Sequence, residues 1–122
     1  MGRPALIAKF VLDAEGAPKV AYAGDPPHYR IALTVSGAPE DAYAVTYELH
    51  ESYYEPVRES RRRADDFVEE ITSYGDYEVR ATVRGKRRTQ MVVAGLSDAL
   101  ELGHAKDRSG AIETALSNIK SN

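Results

Sequence analysis

Cysteine is absent from the 122-residue chain, which excludes a disulfide framework, thiolate metal sites and thiol nucleophiles together. Tryptophan is absent as well, so the Cys and Trp hallmarks of antibody domains are missing. No segment approaches the ~18 consecutive apolar residues of a membrane helix, and the opening MGRPALIAKFVLDAEG lacks the apolar length and cleavage site of a signal peptide. No membrane span is expected, and a reducing cytoplasm is the expected compartment. An excess of charge of one sign is also lacking: the formal net charge is −3, too mild for a global pull toward nucleic acid. What remains is an ordinary globular composition, 43% hydrophobic and 29% charged, of a length that closes one core.

Alternation with a period of two dominates the first hundred residues. Leu6, Ala8, Phe10 and Leu12 oppose Ile7, Lys9 and Val11, and Tyr29, Ile31, Leu33 and Val35 oppose Arg30, Ala32, Thr34 and Ser36. Tyr43, Val45, Tyr47 and Leu49 form a third apolar face, and Tyr77, Val79, Ala81 and Val83 another. A shorter strand is expected around Phe67, Val68 and Ile71, and a turn at Gly85 and Lys86 leads to a strand over 89–94. Short strands separated by turns about every 8–12 residues predict an all-β fold, an immunoglobulin-like antiparallel β-sandwich. From Leu96 the period changes. Leu96, Ala99 and Leu100, then Ile112, Ala115, Leu116 and Ile119, lie at helical spacing, with Gly103 and Gly110 as breaks between. The expected organisation is a sandwich over 1–96 and a C-terminal α-helical segment over 97–122 packed on the same domain.

Catalytic constellations are not found. The three histidines, His28, His50 and His104, lie in separate segments without metal-ligand spacing. His50 and Ser52 stand two apart, but there is no nucleophile elbow and no third member. Asp65, Asp66, Glu69 and Glu70 follow Arg61, Arg62 and Arg63, a mixed run expected to be a solvated loop. Arg80 and Arg84 share a strand face near Lys86, Arg87 and Arg88, which leaves a weak nucleic-acid binder as one alternative; interspersed acids favour a charged solvent face instead. A non-catalytic module needing no cofactor is the expectation.

The segment VTYELHESYYEPVR, followed by EEITSYGDYEVRATV, resembles the YEATS domain, in its prokaryotic branch. The resemblance rests on Leu49, His50, Ser52, Tyr53, Pro56 and Arg58, then Phe67, Tyr74, Gly75 and Tyr77, and covers about residues 28–96. It implies the same immunoglobulin-like sandwich and a reader of acylated lysine, with an acylated-lysine peptide or protein as partner. Carried over, Tyr53 and Tyr74 become the walls of an aromatic slot. Ser52 hydrogen-bonds the acyl amide, backbone N–H groups around Tyr74 and Gly75 hold the acyl oxygen, and His50 and Ser73 shape the site. Tyr54 is left to packing or the rim, and Asp76 adds a charge near the mouth. The alternative implied function is an adaptor of a bacterial signalling or defence system that binds no acyl-lysine.

Overall fold

The computed structural model describes residues 3–122. Strand β1 (Ala5–Phe10) pairs antiparallel with β3 (His28–Ser36), and the short β2 (Val20–Tyr22) continues the same edge of β3. Strand β6 (Glu69–Ser73) pairs with the opposite edge of β3, completing the first sheet. The second sheet runs in the order β5 (Val57–Ser60), β4 (Ala42–Glu48), β7 (Glu78–Gly85) and β8 (Thr89–Gly95). The two antiparallel sheets form the expected β-sandwich.

The alternation sets which face closes the core. Leu6, Ala8 and Phe10 of β1, Tyr29 to Val35 of β3 at every second position, and Val79, Ala81 and Val83 of β7 are all buried. Tyr47 is buried to its hydroxyl, which donates to the Phe67 carbonyl at 2.7 Å. Burial, followed by the nearby Glu69 and Asp66 carboxylates, pushes its phenol well above the ordinary tyrosine value. It is held as a neutral donor.

Helices α1 (Leu96–Gly103) and α2 (Gly110–Ser121) lay their apolar stripes onto this core; Leu96, Ala99, Leu100, Ile112, Ala115, Leu116 and Ile119 are all buried. Ser109 caps α2 by accepting the Ile112 N–H at 3.2 Å. Between the helices, buried His104 accepts the Phe10 N–H on Nε2 at 2.9 Å, with Nδ1 3.1 Å from Asp107 Oδ1, so the connection is bonded to the edge of β1. The backbone approaches that edge so closely that a Cβ on Gly103 would lie 1.9 Å from the Ala8 carbonyl oxygen. Neither helix is long and apolar enough to cross a membrane.

Four details differ from the expectation. Tyr43 does not share the buried face of Val45 and Tyr47: the register of β4 against β7 shifts between Ala42 and Ala44, and the extra residue puts Tyr43 outside, 44% exposed. Leu12 lies beyond the end of β1 and is exposed. Phe67 is buried but not in a strand. A 3-10 helix (Arg63–Asp65) ends in two left-handed residues, Asp66 (φ 53°) and Phe67 (φ 58°), before β6 begins. Such a conformation costs a bulky residue about 1–2 kcal/mol, offset here by burial of the ring and by the bond from Tyr47. Finally, β2 and β5 were not foreseen, being short and, apart from Ser60, largely unburied.

Candidate functional site

Three chain segments meet at one end of the sandwich: the His50–Glu55 turn between β4 and β5, the Tyr74–Tyr77 turn between β6 and β7, and His28 at the start of β3. They enclose an open cavity of about 430 Å³. All six residues singled out in the sequence line it: His50, Ser52, Tyr53, Ser73, Tyr74 and Gly75. His28, Thr72, Asp76, Tyr77 and Asn122 complete the lining. A larger recess beside β2, lined by Asp13, Lys19, Tyr22 and Arg30 among others, holds none of the six.

Tyr53 is a fixed wall. Its hydroxyl donates to the Thr72 carbonyl and accepts from the Tyr77 hydroxyl at 3.0 Å, while the Arg58 guanidinium lies 5.7 Å from its ring centroid. Arg58 is itself held by the Glu55 and Glu70 carbonyls and the Glu69 carboxylate, bridging β5 to β6. Burial, then the bond to Tyr53, keeps the Tyr77 phenol far above its ordinary value, so it stays a neutral donor to Tyr53. Tyr77 also carries the other rings, with centroids 5.7 Å from Tyr53 and 5.9 Å from His50.

Tyr74 is the opposite kind of wall. It is 50% exposed, and its ring leans on His28 at 4.8 Å, with Tyr22 edge-on to the same imidazole at 5.6 Å. Tyr54, in contrast, is 97% exposed and does not line the cavity, so it neither packs nor forms the rim.

The polar groups are arranged around the rings. His50 Nδ1 accepts the Ser52 N–H at 3.1 Å and lies 2.8 Å from Ser52 Oγ. An acceptor at Nδ1 makes the serine hydroxyl the donor in this pair, and its oxygen keeps acceptor capacity toward the cavity. Ser73 Oγ donates to the Gly75 carbonyl at 2.7 Å and accepts the Gly75 N–H at 3.2 Å. The Gly75 amide, one of the backbone N–H groups expected around the acyl oxygen, is thus bonded to Ser73. Gly75 has no room for a side chain, since a Cβ would stand 2.7 Å from the Asn122 backbone carbon. Asp76 puts a charge at the cavity, as expected, and that charge is also engaged by α1. Its carboxylate accepts the Ser97 N–H at 2.9 Å and the Ser97 hydroxyl at 2.7 Å, capping α1, whose own N-cap is Gly95.

A profile of the prokaryotic YEATS domain matches residues 29–94. The chain belongs to the prokaryotic YEATS family. Among solved structures, the Yaf9 YEATS domain recognising an H3K122suc peptide superposes with a TM-score of 0.54 at 20% identity, covering 83% of this chain and 75% of that one. The Yaf9 YEATS domain bound to H3K27ac gives 0.53 at 21% identity, over 77% and 70%. A further structure of Yaf9, a yeast AF-9 homologue, gives 0.51 at 23% identity, over 77% and 66%. Among curated protein sequences none matches the chain. At these identities the likeness establishes the shared YEATS sandwich, and two of these Yaf9 structures are complexes with acylated histone peptides.

His28, Thr72, Tyr77 and Asn122 line the cavity of this YEATS domain without being candidate site residues in the sequence. Tyr77 carries a signal, since it belongs to the SYGDY motif on which the resemblance rests. His28 carries none, because it enters through the pairing of β3 with β6, some forty residues away in the chain.

Proposed function

We propose that this YEATS domain is a non-catalytic reader of acyl-lysine, taking the acylated side chain between Tyr53 and Tyr74. The single observation that carries the reading is that Tyr53, Tyr74 and Ser52 line one cavity. A neutralised lysine presents a flat amide that stacks on ring faces yet needs hydrogen-bond partners when it leaves water. On this reading Ser52 Oγ, its own proton given to His50, accepts the acyl N–H. The acyl carbonyl is assigned to the Tyr74 amide rather than to that of Gly75. Arg30 turns its backbone toward β1 and β2, bonding Lys19 and Val11, so its cross-strand partner Thr72 faces away from β3, where its carbonyl meets Tyr53. Two residues on, the same alternation directs the Tyr74 N–H to that side. A lysine ammonium would lose hydration there, and the Asp76 side-chain carboxylate at the cavity is engaged by Ser97.

The Yaf9 complexes with succinylated and acetylated histone peptides support a peptide partner of this chemistry. Nucleic acid is less well supported. On the outer face of the second sheet Arg80 pairs with Glu48 at 3.5 Å and Arg84 is bonded to Thr46, so the basic strip is interleaved with acid. Calorimetric or NMR titration with acetyl-lysine, crotonyl-lysine and unmodified peptides tests the proposal. Expected are dissociation constants on the order of ten micromolar to millimolar for the acyl peptides, with shifts at Tyr53 and Tyr74 and none for the unmodified peptide. Equal binding of all three, or none at all, would leave the adaptor reading.

A further inference from the structure

The edges of the two sheets are treated very differently. On one side of the sandwich β5 and β6 are tied together by Arg58 and Tyr53, and both carry charge. On the other side β1 is covered by α1, with Gly103 against Ala8. Strand β8, Thr-Gln-Met-Val-Val-Ala-Gly, has no charge and no proline in seven residues, and it pairs only with β7. Met91 and Val93 project from it, 61% and 46% exposed. Natural sheets blunt open edges with lysine, proline or bulges, and none of these devices is used along β8.

The register shows which backbone groups face the open side. The hairpin closes with the Gly85 N–H bonded to the Arg88 carbonyl, so Gln90, Val92 and Ala94 are bonded to β7 in alternation, and Thr89, Met91 and Val93 turn their N–H and C=O outward. No hydrogen bond from Met91 or Val93 to another element is present among the described residues. Charge then selects an occupant. The exposed Lys86, Arg87 and Arg88 flank the start of β8, whereas exposed Glu78, paired with Gly95, and Asp98 flank its end.

We propose that this protein self-associates through β8, pairing antiparallel with β8 of a second copy about a two-fold axis at Val92. In that register Met91 faces Val93 of the partner in a hydrogen-bonded pair, and the outward parity of both residues is satisfied. Each basic hairpin meets the acidic end of the other copy, which a parallel arrangement would forbid by opposing like charges. The two four-stranded sheets, one from each copy, become one continuous sheet of eight. The inference does not depend on what the slot binds.

The absence of native cysteine makes a register test clean. Met91→Cys and Val93→Cys proteins, mixed and mildly oxidised, should yield a covalent heterodimer in several-fold excess over the homodimers. Hydrogen-bonded antiparallel partners have Cα atoms about 5.5 Å apart, within disulfide reach. Light scattering on the unmodified protein should show the mass rising toward twice the monomer as concentration approaches about a millimolar, as suits a small interface. A Met91→Lys, Val93→Lys double variant, its fold checked by NMR, should stay monomeric. A wild type that remains monomeric at that concentration would overturn the proposal. So would association unaffected by the lysines, or cross-linking as efficient in either variant alone as in the mixture.

Discussion

Truncation of Tyr74 isolates the slot from the scaffold. The side chain is half exposed, its ring touches only His28 among the aromatic residues, and its hydroxyl makes no hydrogen bond among the described residues. Removing it therefore takes little from the core, and Tyr74→Ala should unfold in urea within about 0.5 kcal/mol of wild type, as surface substitutions do. Binding should respond otherwise. An aromatic wall stacked on a planar amide contributes about 1–3 kcal/mol as a contact hot spot, a loss of about 5- to 160-fold in affinity for a crotonyl-lysine peptide. Tyr74→Phe keeps the stacking face and should bind within about twofold of wild type, because the phenol is not engaged. The comparison requires calorimetry with one peptide across three proteins, with NMR spectra to confirm folding. A folded Tyr74→Ala protein that binds the acyl peptide as well as wild type would refute the assignment of this ring as a wall.

Tyr53→Phe should behave in the opposite sense, keeping the ring but stranding the Tyr77 hydroxyl and the Thr72 carbonyl, so a stability loss of about 1–2 kcal/mol in urea denaturation is expected; a neutral result would show that water replaces the bonds. Gly103→Ala places a methyl group against the Ala8 carbonyl and should cost about 2–3 kcal/mol, read as a lowered denaturation midpoint at unchanged slope. Raising pH should weaken the fold from about pH 10 upward. The Tyr47 and Tyr77 phenols ionise near 10 in the unfolded chain but well above it when folded, so their contribution is complete below 10 and falls by at most roughly 1.4 kcal/mol per phenol per pH unit beyond it. Stability constant to pH 11.5 would contradict the burial of these hydroxyls.

Much of the molecule is dictated locally. An alternating strand needs only its own side chains to define a buried face, and so β1, β3, β7 and the helical stripes are legible residue by residue. The LHESY and SYGDY motifs, separated by about twenty residues, likewise carry the family and place six residues on one cavity. Other features depend on neighbours far along the chain. Tyr43 turns outward because β4 shifts register against β7, and register is a property of the pair of strands rather than of either sequence. Phe67 accepts a left-handed backbone because its ring is buried and Tyr47, on β4, bonds its carbonyl. Asp76 becomes a helix cap only once Ser97 is brought beside it, and His28 joins the slot only because β3 lies next to β6. Pattern along the chain specifies which face of an element is apolar; which hydrogen bonds its polar groups make is decided by what folding places within about 3 Å of them.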